Sequence, residues 1–62
     1  NRAEGVMIVG TLVRVKTKLW REGDIGVIVK VIPPRGIYDT LFSVLFWDEK
    51  IDTVSAVCLE TI

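Results

Sequence analysis

The sequence contains no histidine, a single cysteine, two prolines and no apolar run beyond four residues. Each shortage excludes something. Without histidine the chain lacks the commonest general base and the commonest metal ligand. With Cys58 alone it can form no internal disulfide, and a structural zinc site finds almost no ligands. No run of carboxylates carries the spacing of a calcium loop, and no glycine loop is followed by the lysine and helix of a phosphate cradle. No segment approaches the roughly 18 apolar residues of a membrane helix. No stretch holds a useful 3.6-residue period either, so a helical bundle is excluded.

Strand signals are abundant instead. Half of the 62 residues are apolar. They fall into runs that alternate or are rich in β-branched and aromatic types: "TLVRVKT" (11–17), "DIGVIVKVI" (24–32), "DTLFSVLFW" (39–47) and "KIDTV" (50–54). "REGD" (21–24), "PPRG" (33–36) and "WDEK" (47–50) read as the turns between them. "SAVCLETI" (55–62) has room for one helical turn and a last short strand. The expected fold class is all-β: a small five-stranded barrel over residues 11–62 behind an N-terminal extension, 1–10. Closure would remove the exposed strand edges that invite aggregation. A single domain of this size buries only about 60% of the surface its unfolded chain exposes, so a staple or a partner is expected to help it.

The runs "VGTLVRVKT", "KLWREGDIGVIVKV", "FSVLFWDEK" and "AVCLETI" resemble the Src-homology-3-like barrel of small KOW-type, phage-encoded and plasmid-encoded proteins. The resemblance covers about residues 9–62. It implies a fold more firmly than a task, because this barrel hosts many functions. The plasmid-encoded dihydrofolate reductase of this type ends in a similar L-E-x-I. Its pore, however, is built from a V-Q-I-Y run where this chain has "IDTVSAVCLETI", so the oligomeric-pore enzyme is a remote alternative.

No residues assemble into catalytic machinery in the sequence. Cys58, in "AVCLE", reads as a small buried hydrophobe, and Asp48, Glu49 and Asp52 as a solvated hairpin. Catalytic residues, cofactor and metal are therefore all expected to be absent, and no membrane contact is expected.

Two surfaces remain. With Val13, Val15, Val27, Val29, Val31, Phe42, Val44 and Phe46 turned inward, the core of so small a barrel is full. Ile28, Ile32, Leu41, Leu45 and Trp47 then face outward. We expect this apolar face, with Ile28, Leu41, Leu45 and Trp47 as its site residues, to contact a protein partner or a second copy of the chain. A homo-oligomer or a place in a larger assembly such as a phage particle follows. The segment "VMIV" (6–9) either covers Ile28 and Leu45 as an extra strand or joins that interface.

The second surface is basic. Net charge is zero, but residues 1–35 hold seven Lys and Arg against three carboxylates, and residues 36–62 one against five. Arg14, Lys16, Arg21 and Lys30 with Trp20 form the alternative site, a KOW-like grip on nucleic acid through phosphate contacts and base stacking. The chain as a whole is less basic than most dedicated nucleic-acid modules. A lone cysteine and the lack of an export signal point to the cytoplasm, or to a virion.

Overall fold

The structure, a computed structural model, describes residues 7–62. Five antiparallel strands follow in chain order: β1 (Leu12–Val15), β2 (Ile25–Ile32), β3 (Leu41–Phe46), β4 (Ile51–Ser55) and β5 (Leu59–Thr61). A single turn of 3₁₀ helix, Ala56–Cys58, separates the last two, as the sequence allows. The strands form one sheet in the order β4-β3-β2-β1-β5. Neighbours β1 to β4 are joined as successive hairpins, and β5 returns to lie against β1.

The hairpin connections are set by local chemistry. After β3, the Glu49 N–H donates to the Phe46 carbonyl and the Phe46 N–H to the Lys50 carbonyl, which closes a tight turn with Glu49 left-handed at φ 67°. This is the three-residue loop whose last position favours glycine. Before β2, the Asp24 N–H donates to the Arg21 carbonyl, with Arg21 at φ 53° and Gly23 at φ 84°.

Val13, Val15, Ile28, Phe42, Val44, Phe46, Val54 and Leu59 make the core, each 4% exposed or less. All lie on one face of the sheet. Among the described residues no helix layer or second sheet covers that face, so burial this complete requires the sheet to curl over itself. The connection confirms the curl. Only three residues link the two edge strands β4 and β5, which brings their facing ends within about 13 Å at the reach of an extended chain.

The sheet nevertheless does not close. No ladder joins β4 to β5, so the expected barrel is corrected to a curled, open five-stranded sheet.

Strand β2 departs furthest from its sequence pattern. Gly26 pairs with Phe46 and Ile28 with Val44, so Gly26 and Ile28 point inward and Val27 outward. The register then slips: Lys30 pairs with Ser43 and Val31 with Phe42, leaving Val29 as the extra residue of a β-bulge. Beyond the bulge the odd-numbered positions turn inward. The inward trio Val27, Val29 and Val31 is thus corrected: Val27 faces out, Val29 sits at the bulge and only Val31 lies on the core side. Ile28, expected on the outer face, is 0% exposed. Alternation alone cannot choose between two phases when both carry apolar residues, and a bulge uses both in turn.

Gly26 explains the phase. A Cβ there would stand 2.6 Å from Val44 Cγ1 and 2.8 Å from the Leu45 carbonyl oxygen. The glycine leaves the inner face open for the neighbouring Phe46 ring.

The N-terminal segment is described from Met7 onward. Met7 packs against the core, and Ile8 and Val9 are exposed in a turn closed by the Thr11 N–H to the Ile8 carbonyl. Residues 7–10 form no extra strand; the rest of the extension, residues 1–6, lies outside the described residues.

Candidate functional site

The outer face of the sheet carries an unbroken apolar row. Leu12 on β1 pairs with Val27 on β2, Val27 with Leu45 on β3, and Leu45 with Ile51 on β4. Directly paired residues share a face, so the four side chains form one line across four strands. At its β5 end the Ile62 N–H donates to the Leu12 carbonyl, which brings the exposed Ile62 alongside. Toward the hairpin end, Ile25 and Trp47 extend the patch. Trp47 stands 72% exposed.

Leu12, Ile25, Val27, Leu45 and Trp47 together line a shallow groove of about 340 Å³. Val27 and Leu45 are half-buried at its floor, while Leu12, Ile25 and Trp47 are exposed around it.

Polar neighbours bound the patch. The next cross-strand row is Lys30, Ser43 and Thr53. At the opposite corner Arg14, paired across the strands with both Ile25 and Glu60, forms a 3.5 Å ion pair with Glu60.

Of the four apolar site residues expected from sequence, Leu45 and Trp47 belong to this patch. Leu41 lies two rows away beside Ser55, across the polar row, and Ile28 is in the core. Leu12, Ile25, Val27, Ile51 and Ile62 were missed. Leu12 was within reach, since any phase that buries Val13 and Val15 turns it outward. Val27 was hidden by the misread phase of β2.

The basic candidates do not converge. Arg21 reaches into a cluster of its own. Its guanidinium lies 2.9 Å from Asp24 Oδ2, 3.0 Å from Asp48 Oδ2 and 3.3 Å from Asp52 Oδ2. It also stacks 4.1 Å from the Phe46 ring centroid and 5.8 Å from that of Trp20. The Trp20 ring meets Phe46 edge-on at 5.9 Å.

With a side chain only 14% exposed, Arg21 ties the β1–β2 loop to the β3–β4 turn and to β4. Hydrogen bonding to Asp48 raises the Arg21 pKa above its ordinary value despite partial desolvation. For Asp48, burial works upward, but the Arg21 hydrogen bond, the Lys50 N–H and the Arg21 charge together hold the carboxyl below its usual range.

Arg14 is engaged with Glu60. Lys16 and Lys30 are exposed but lie at opposite ends of the sheet. Arg14 is opposite Ile25, and Lys30 is five residues further along β2, about 17 Å at strand rise. Cys58, half-buried, packs against the core.

A second, wider hollow of about 540 Å³ opens on the core side, lined by Met7, Val31, Thr40, Phe42, Ala56 and Val57 among others. No helix among the described residues is long and apolar enough to cross a membrane. Comparison of the chain with protein-family models, with curated proteins and with solved structures finds no match.

Proposed function

We propose that the chain is a non-enzymatic docking subunit that binds a protein surface through the outer apolar face of its sheet. The observation that carries this is the row Leu12–Val27–Leu45–Ile51, continuous across four strands and flanked by the exposed Trp47. Surface hydrophobes scattered singly need no explanation, but a contiguous patch framed by polar residues is the usual mark of an interface. Trp is among the residues that most often dominate binding energy. The carboxylates that do converge, Asp24, Asp48 and Asp52, are held by Arg21 in a structural cluster, which favours a binding role over a catalytic one. Five strands with a single helical turn before the last support a Src-homology-3-like architecture, here curled and left open.

The test is site-specific photo-crosslinking in the source cell. A photoreactive residue at Leu12 or Ile51 is expected to give a discrete protein adduct. The same residue at Lys18, exposed in the β1–β2 loop, is expected to give none. Adducts that vanish on nuclease treatment, or equal labelling from all three positions, would overturn the proposal.

A further inference from the structure

We infer that the occupant of the outer apolar face is a second copy of this chain, docked about a two-fold axis so that each Trp47 enters the other copy's groove. The inference rests on the docking role proposed above and specifies its partner.

A two-fold interface has to be self-complementary: the patch that offers a projection must also offer the matching recess. This face has both, side by side. Trp47 projects at its rim, and the groove floored by Val27 and Leu45 lies next to it. A side chain that forms the wall of a groove cannot also fill it, so within one molecule the groove stays open. Rotation by 180° places the projecting indole of one copy over the recess of the other, and the exchange is reciprocal.

Area points the same way. Leu12, Ile25, Trp47, Ile51 and Ile62, the exposed members of the patch, present on the order of 600 Å². With the partly buried floor and the polar rim this approaches the ~800 Å² per partner of a standard interface. The total is also at the upper end of what a monomer leaves open to water. Charge does not oppose the pairing. The chain has a formal net charge of zero, so two copies meet without net repulsion. At one corner of the patch Arg14 and Glu60 already neutralise each other.

The experiment is sedimentation velocity of the wild-type chain from about 1 to 500 µM, the range in which an interface of modest size populates both states. It is run beside Trp47→Ser and Ile51→Lys, with thermal unfolding of each as a check on folding. The expected result is a concentration-dependent shift from the 7.0 kDa monomer to a species of twice that mass. Both variants should stay folded, and association should be about 30-fold weaker or more, the loss expected for a hot-spot aromatic.

A second readout uses a Trp20→Phe background, in which Trp47 is the only indole. Its emission should move to shorter wavelength as the dimer forms. A monomer across the whole range overturns the inference. If crosslinks from Leu12 and Ile51 then still appear at a mass other than the doubled chain, the docking role stands with a different partner. If those crosslinks are absent too, both fall. A dimer that survives Trp47→Ser, or that forms with no change in Trp47 emission, overturns the reciprocal geometry.

Discussion

Gly26 shows how much one residue determines. Its neighbours across the strand leave no space for a methyl group, and one of the two contacts below 3 Å is to a backbone carbonyl that cannot rotate away. Gly26→Ala should therefore destabilise the domain by about 1–3 kcal/mol, the usual cost of overpacking, measured as a lower denaturant midpoint at unchanged slope.

Asp48 carries a pH dependence of definite sign. Its carboxyl is held below the ordinary range in the folded chain, so its contribution is complete above the unfolded value of about 4 and disappears as pH falls through the folded value. Asp48→Asn is expected to lower the melting temperature at pH 7. The gap to wild type should close in acid, and a gap that stays constant with pH would refute this.

Residue identity also explains what the sequence did and did not disclose about the Arg21 cluster. Asp48 of the "WDEK" turn was plain to see, but its cation Arg21 lies 27 positions away, and nothing in a local pattern links them.

At the scale of elements, the strands, the turns and the last helical turn follow from composition and punctuation, because β-branched runs and glycine or proline corners act locally. The phase of a strand does not. In β1 and β3 one alternating set was more clearly suited to the interior, and Val13, Val15, Phe42, Val44 and Phe46 were placed correctly. In β2 the odd set, Ile25, Val27, Val29 and Val31, is uniformly apolar, while the even set contains Gly26 and Lys30. The pattern favours the odd set, yet the Phe46 ring and the bulge at Val29 select Gly26 and Ile28.

Ile28 and Val29 therefore respond oppositely to an introduced charge. Ile28→Asp should prevent folding, since it buries a charge without a partner. Val29→Asp should leave a cooperative transition within about 1 kcal/mol of wild type, as circular dichroism melts would show. In the β3–β4 turn, Glu49 holds a left-handed conformation that glycine adopts freely. Glu49→Gly is expected to raise stability by about 0.5–1 kcal/mol.

For the whole molecule, the outer face matters because the domain is so small. A 62-residue chain with eight core side chains among its described residues belongs to the size class in which a single core supplies only about 3–5 kcal/mol. An Ile28→Ala cavity, at about 2–5 kcal/mol, would consume most of that. Covering the outer row would add apolar burial without lengthening the chain, so the melting temperature of the wild type should rise with protein concentration. That of Trp47→Ser should be flat over the same range.

The strand order has a further consequence, for the time course of folding. Within β1 to β4 each strand pairs with the next, β1 with β2, β2 with β3 and β3 with β4, so each of these pairings closes a short loop. Only β5 must find a partner, β1, from the far end of the chain. Loop-closure entropy delays such a contact until the rest is in place. A mild truncation in β5, Leu59→Val, should accordingly accelerate unfolding while leaving the refolding rate nearly unchanged. The same volume change in the meander, Ile28→Val, should slow refolding. In stopped-flow experiments the two substitutions would move opposite arms of the chevron, with the three-residue link Ala56–Cys58 as the last joint to set.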